Sequence, residues 1–593
     1  MGLFRRNKRE NETEQGKKAR ADLLLKELDL YKNEKTLKSG AIMENERWFN
    51  GQYWEYISSR NEERDAQTNF LFSAIWHKHA DAMDNYPEPV FLEREEGDRE
   101  EADKLSKIVP LVLEKNGFEN VYSDLWWYKL KHGVSICSVL WDNAKEDGLG
   151  DICIKKVDAL RFFAEPYISD IQQSRYVFVT ALADTDVLKR QYGDPDIRPD
   201  ATASKARGYF GDYSPNVLEK KTMVVDCYQR YRDETGKYVV HLEKIINGRI
   251  MYDSRQDPVC INGIYEHGMY PFVLDVFIPI ENSIYGLGMI DIGKKTQSYI
   301  DKLDYIIEEN ALLSGRQRWL IKRGAGIKTE DFLDMSKTVI EADGSIDSDA
   351  VRDLQAQPIP SQIMTHRTEK IEEIKELLGN RDFSQGATSG GVTAYGAITA
   401  LQEAGSKLAR DGIKASYRAF AGISYMVVEL IRQFYTEERS FRILGDGETE
   451  PQYISYDNSV LQGQSVPLNV PITLDDGTVQ TERFRKAIFD IKIVAQRKNP
   501  FNTISHNQMV MELFSGGAFN PDNADQAILA LQNMIMDNKE SMIEGIRENQ
   551  IKNAQLYQQL QAQDAQLKRM TAIVNEMTNA IPGQAPGLEA VQP

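Results

Sequence analysis

The sequence predicts a mainly helical α+β protein built from several packed regions. Three observations predict it. A chain of 593 residues is longer than one hydrophobic core usually organises. With 41% hydrophobic and 27% charged residues, its composition is that of a globular chain rather than a disordered one. Segments with helical apolar spacing bracket two β-rich stretches, 134–280 and 440–497, and a heptad pattern closes the chain.

Residues 1–20 carry seven basic side chains (Arg5, Arg6, Lys8, Arg9, Lys17, Lys18, Arg20) against three acidic ones, which reads as a solvated tail or as a basic arm toward nucleic acid or an acidic partner. ADLLLKELDLY places leucines at helical spacing and opens a helix expected over 19–60. A second helix is expected over 66–85, stopped by Pro87 and Pro89, followed by an acidic stretch and helices over 100–115 and 120–132. From 134 to 280, short β-rich runs alternate with Gly and Asp turns, and Asn247-Gly248 is a type I′ hairpin signal. Helix returns over 286–314, where Ile290, Ile300, Leu303, Ile307 and Leu312 fall near one broad face. Residues 316–360 read as a short α/β insert, with RWLIKRG and KTVIEADG as strand candidates. A charged helix over 361–379 ends at Gly379. The glycine-rich run NRDFSQGATSGGVTAYG is expected to be a flexible loop, and a long helix is expected from about 393 to 436. Helices are expected again over 503–579, before a Pro/Gly tail.

The composition argues against several kinds of chemistry. A formal net charge of −18 excludes bulk attraction as the reason for any contact with DNA, because DNA-wrapping proteins neutralise phosphates with cations. Cys137, Cys153, Cys227 and Cys260 include no CxxC pair, so neither a thiolate metal site nor a disulfide framework is expected, and a reducing compartment fits. No membrane span, secretory signal or myristoylation pattern is read, Arg6 standing where that last pattern wants Ser or Thr. The run from Gly288 to Lys295 approaches a P-loop. However, Lys295 occupies the position that needs Ser or Thr, and bulky residues fill what should be a tightly curled loop, so a helix start is the better reading. His77 and His79 are two residues apart on a helix and so face different ways. No cofactor, metal or catalytic residue set is expected.

Two patterns carry more. Lys407, Arg410, Lys414 and Arg418 line one stripe of the long helix, which reads either as a solvated, salt-bridged face or as a basic band toward DNA or an adjacent subunit. A heptad runs through Ile546, Asn553, Leu560, Leu567 and Val574, and through Asn549, Leu556, Gln563, Met570 and Met577. Leu556, Leu560, Leu567, Met570, Val574 and Met577 would form a coiled-coil or helical-barrel seam with polar register markers.

Several segments, in this order, resemble the portal proteins of tailed bacteriophages, of the short-tailed-phage type. They are NERWFNGQYW (45–54), NFLFSAIWHKHADAMDNYPEPVF (69–91), HGVSICSVLWDN (132–143), IKKVDALRFFAEPYISDIQQSRYVFV (154–179) and GATSGGVTAYGAITALQEAGSKLARDGIKA (386–415). The last, a Gly/Ser/Thr loop running into a long helix, is the most specific, and the resemblance covers roughly 40–500. Glu165-Pro166 stands where Asp-Pro is frequent. The resemblance implies a portal fold. A basic arm and first helix (1–40) would precede a wing (41–285), a stem helix (286–314) and a clip (315–360). A second stem helix (361–379), a tunnel loop (380–394), a long wing helix (395–436) and a wing β return (437–502) would follow. A crown (503–545), a helical barrel (546–579) and a tail (580–593) would complete the chain. It places Asp382, Phe383, Ser384, Gln385, Gly386, Thr388, Ser389, Gly390 and Gly391 in the tunnel loop, and Arg316, Arg318, Trp319, Lys322 and Arg323 in the clip.

The implied function is non-enzymatic. A ring of about twelve copies at one capsid vertex of the virion, assembled in the host cytoplasm, would conduct double-stranded DNA without reading its sequence. Implied partners are the terminase large subunit, head–tail adaptor and tail proteins, and the major capsid and scaffolding proteins, with no membrane contact. The alternatives are another phage ring such as a head–tail adaptor, a packaging ATPase resting on the imperfect P-loop, and a coiled-coil interaction protein.

Overall fold

The computed structural model describes residues 14–53, 68–94, 98–202, 218–234, 236–315, 319–323, 351–353, 358–379, 407–443, 452–458, 464–473, 479–485, 488–496, 539–579 and a few isolated positions; for 407–410 it describes the backbone alone. The chain divides into two compact units, Met1–Gln496 and Arg497–Pro593.

Helix α1 (Glu14–Phe49) opens the first unit. It stops eleven residues short of the expected end, because Gly51 adopts a left-handed φ of 75° and the amides of Gly51 and Gln52 bond back to the carbonyls of Trp48 and Arg47, a Schellman stop. Helix α2 (Phe70–Met83) is capped by Asn69, whose side chain accepts from the Phe72 amide at 3.0 Å. Pro87 and Pro89 do more than end α2, since they lie within strand β1 (Tyr86–Glu93). That strand pairs antiparallel with β16 (Phe489–Gln496) in a two-stranded sheet, where proline is tolerated, and so ties the start of the unit to its end. Helices α3 (Arg99–Lys115) and α4 (Phe118–His132) follow.

Strands β2 (Val134–Asp142), β3 (Asp151–Val157) and β9 (Phe272–Val276) form a three-stranded sheet in the order β3-β2-β9. Strands β4 (Phe162–Ala164), β5 (Tyr176–Asp184), β6 (Lys221–Arg232), β7 (Tyr238–Ile246) and β8 (Arg249–Asp253) form an antiparallel meander; α5 (Thr185–Tyr192) follows β5. The Asn247-Gly248 turn has positive φ at both residues, as a type I′ hairpin requires. Alternation on β6 gives the meander two buried faces. Met223, Val225 and Cys227 pack under Ala21, Leu24, Leu28 and Tyr31 of α1, whereas Tyr228 joins Val134, Ile136 and Phe272 on the opposite side. Lys35 is buried at this contact and donates to the carbonyls of Ala159, Leu160 (3.1 Å) and Phe162 (2.7 Å).

Helices α6 (Met289–Gly315) and α7 (Ser361–Leu377) flank a short hairpin of β10 (Trp319–Ile321) and β11 (Val351–Asp353). β10 pairs with 351–353, and the described residues of KTVIEADG, Thr338, Val339, Glu341 and Asp343, lie outside any strand, Val339 being exposed; the rest of that run lies outside the described residues. Ile290 and Ile300 are buried, whereas Leu312 is 53% exposed, because α6 projects beyond the core after Asp301. Helix α8 (Lys407–Phe434) runs back through the core, burying Phe420, Ile423, Met426, Val427, Leu430 and Ile431. Strands β12 (Arg439–Ile443), β13 (Gln452–Tyr456), β14 (Gln464–Thr473) and β15 (Val479–Arg485) form two hairpins before β16. The second unit holds the 41-residue helix α9 (Lys539–Asn579). Among the described residues, no helix is long and apolar enough to cross a membrane.

Candidate interaction surface: the paired helices and their anchor

Three glycines set the start of α6. Gly133 ends α4 in a left-handed conformation, and a Cβ there would lie 2.5 Å from the Gly286 backbone. A Cβ on Gly286 would meet the Ile278 carbonyl at 2.5 Å, and one on Gly288 the Lys131 carbonyl at 2.4 Å. Backbone thus runs against backbone where α4 ends and α6 begins, a spacing that only glycine permits. The last carbonyls of α4, orphaned by the helix end, are taken up by α1. Lys38 donates to the His132 and Gly286 carbonyls at 3.0 and 2.7 Å, and Asn45 donates to the Lys131 carbonyl at 3.1 Å and to Asp291 at 3.0 Å. Asp291 in turn accepts from the Gly288 amide at 3.0 Å and caps α6. Glu46 bonds to Lys131 and lies 3.2 Å from the buried His132 ring. Burial pushes the Glu46 carboxyl up, but His132 and Lys131 together outweigh it and hold it down at about 2. Burial pulls the Lys38 ammonium below its ordinary range, with Asp291 opposing.

From this anchor α6 pairs with α7. Ile300 and Ile374 are buried in the core that the pair shares. Arg367 forks onto Asp304, one contact being 3.2 Å, and Thr68 donates to the same carboxylate at 3.0 Å. One turn earlier, Asp301 is 3% exposed and accepts from Tyr53 at 2.9 Å and Gln297 at 3.0 Å. Burial pushes its carboxyl up to about 7, against the pull of those two donors. Among mostly polar exposed positions, Tyr299, Ile306 and Leu312 on α6, and Met364 and Leu377 on α7, are 45–58% exposed.

At the other end of α7, a cavity of about 170 Å³ opens between Trp126, Phe277, Met289, Leu378 and Ile413. Leu378, at the end of α7, and Gly412 and Ile413, in the second turn of α8, line the same cavity. Lys78 reaches across to the Gly379 carbonyl at 3.3 Å.

The sequence-derived candidates distribute unevenly over this frame. Asp382, Phe383, Ser384, Gln385, Gly386, Thr388, Ser389, Gly390 and Gly391 lie outside the described residues, as do Arg316 and Arg318. Trp319, Lys322 and Arg323 are exposed at the β10–β11 hairpin. Lys414 and Arg418 are exposed on one face of α8, opposite buried Ser416, Phe420 and Ile423; the Lys407 and Arg410 side chains are not described. Leu556, Leu560, Leu567, Met570 and Val574 are 55–64% exposed on α9, so within one chain the row takes no cover; the Met577 side chain is not described. The near P-loop is helix α6 itself. Gly293 packs where a Cβ would meet the Leu71 side chain at 2.5 Å, and Lys294 pairs with Glu44 at 3.2 Å. His79 stacks on Trp127 and bonds to Ser123 at 3.0 Å. Lys38, Asn45, Glu46 and Lys129 were not singled out in the sequence. The spacing Gly286-x-Gly288 before a helix was the one available signal for the anchor.

A family model described as Phage P22-like portal protein matches residues 80–585. No curated protein matches the chain.

Proposed function

The chain belongs to the P22-like phage portal protein family, and on that premise we propose that identical copies close into a ring of about twelve whose hole conducts the viral genome. Membership makes it a structural protein of the capsid vertex, the head–tail connector used in DNA packaging. In the proposed ring α6 and α7 are the stem, the β10–β11 hairpin is the clip, residues 380–394 are the tunnel loop and α8 is the wing helix.

The portal-family match over residues 80–585 carries this reading. A heterologous contact repeated head to tail covers exposed apolar side chains such as Ile306 and Leu312 on every copy, and closure leaves none uncovered. Conduction needs weak contact without base readout, because specific contacts would trap moving duplex. A chain of net charge −18 with few exposed cations on α8, such as Lys414 and Arg418, suits that need. The clip receives the terminase motor during filling and the tail adaptor afterwards. The heptad row of α9 forms a helical barrel with its counterparts.

Electron microscopy of the purified protein tests the ring. Annular particles with a central hole are expected, and a preparation that stays monomeric or dimeric at high concentration would overturn the proposal. Deleting Ser384–Gly391 should leave rings intact but reduce DNA packaging or retention; normal filling would remove the loop's role.

A further inference from the structure

Three polar groups inside the first unit have no hydrogen-bond partner among the described residues: the Tyr122 hydroxyl, the Trp126 indole N–H and the Ser135 hydroxyl. Tyr122 and Trp126 are 4% exposed and Ser135 is 1% exposed. A buried donor or acceptor left alone has lost its hydration for nothing, and native proteins almost always pair such groups. These three also belong together. All line one cavity of about 20 Å³ between α4, β2, β9 and α8. Tyr122 and Trp126 are four residues apart on α4, which puts both on one face. Ser135 of β2 stands directly opposite Asp275 of β9, so both side chains leave the sheet on the same side. Asp275 lines the cavity as well, as does Ser416 of α8. The Trp126 N–H and the Asp275 charge both act on the Tyr122 hydroxyl, so these groups face one another.

Size and charge restrict what such a cavity holds. Roughly 10–15 Å³ of this kind of space takes one water, provided that two to four polar groups surround it. Anything larger is excluded. The Lys129 ammonium, 2.7 Å from the Asp275 carboxylate, repels a cation, and that carboxylate repels an anion. A water also has the right bonding capacity. The Trp126 N–H can only donate, the two hydroxyls can donate or accept, and the Asp275 carboxylate can only accept. Lys129 bonds to one carboxylate oxygen of Asp275 and Ser416 to the other, which leaves lone pairs on both. We propose that one ordered water occupies this cavity, accepting from Trp126 and bonded to Tyr122, Ser135 and Asp275. The Lys129–Asp275–Ser416 cluster thereby becomes one end of a longer polar junction, in which a single water links α4, β2, β9 and α8.

High-resolution density of the full-length protein tests this directly. A single rounded peak is expected within about 3 Å of Tyr122 Oη, Trp126 Nε1 and Ser135 Oγ. Trp126 Nε1 bonded straight to Tyr122 Oη, with no peak beside them, would overturn the site. Stability gives an independent reading. Tyr122→Phe and Ser135→Ala should each lower the melting temperature by about 2 °C, because each strips the water of a partner. The double variant should lose little more than either single one, since both act through the same molecule. A dry cavity has the opposite sign: each substitution then deletes an orphaned group, and the melting temperature rises. A rise, or losses that add, would overturn the shared water.

Discussion

The Lys129 ammonium has no exposed surface and lies 2.7 Å from the Asp275 carboxylate, joining α4 to β9 inside the first unit. The Ser416 hydroxyl, at 2.7 Å from the same nitrogen, bonds to Asp275 as well and brings in α8. The Trp126 ring lies 4.6 Å from that nitrogen. One buried cation therefore fixes the mutual position of a helix, a strand and the long helix that follows the glycine-rich segment.

Lys129→Met should destabilise the protein by about 3–5 kcal/mol, because it leaves the Asp275 charge without its buried partner. Lys129→Met/Asp275→Leu should recover most of the loss. Thermal unfolding of both variants checks this, and a double variant as unstable as the single one would show that packing, not charge, dominates.

Asp301 gives stability a pH dependence of defined sign. Its folded pKa, raised to about 7 by burial, exceeds its unfolded value near 3.8. Between those two pH values the native state holds the extra proton, so this group's contribution falls as pH rises from about 4 and is lost above about 7. Asp301→Asn should flatten that slope and stabilise the protein at pH 8 by on the order of 2–4 kcal/mol. Melting temperatures measured from pH 5 to 8 decide it.

Gly133 and Gly248 both have positive φ, of 83° and 74°, but differ in crowding. A Cβ on Gly248 meets nothing within 4 Å, whereas one on Gly133 meets the Gly286–Leu287 backbone at 2.5 Å. Gly248→Ala should cost about 1 kcal/mol, the penalty of the left-handed conformation alone. Gly133→Ala should cost several times more and shift the start of α6. Unfolding curves and hydrogen exchange across 286–300 separate the two.

Ile306→Glu and Leu312→Glu test the outer face of α6. Both side chains are about half exposed, so each variant should melt within about 0.5 kcal/mol of the parent. If neighbouring copies cover this face, both variants should lose rings in micrographs and sediment as smaller species. Unchanged rings would remove α6 from the subunit contact.

Local pattern determined much of this protein. The helical period of α1, the Asn247-Gly248 hairpin, the Gly379 stop and the exposed cationic face of α8 follow from neighbouring residues alone, because periodicity and turn chemistry act over a few positions. The order of such segments was enough to point to the portal family. What only the tertiary structure decided involves partners far apart in the chain. Pro87 and Pro89 belong to a strand because residues some 400 positions later lie beside them. The partner of β10 is Val351–Asp353, a strand that no local pattern singled out. Gly288 and Gly293 resemble a phosphate loop in isolation, yet they are glycines because Lys131 and Leu71 press against them. Lys129 becomes a keystone only when Asp275 and Ser416 converge on it. Contacts of that kind depend on where folding brings the backbone, and no short-range spacing encodes them.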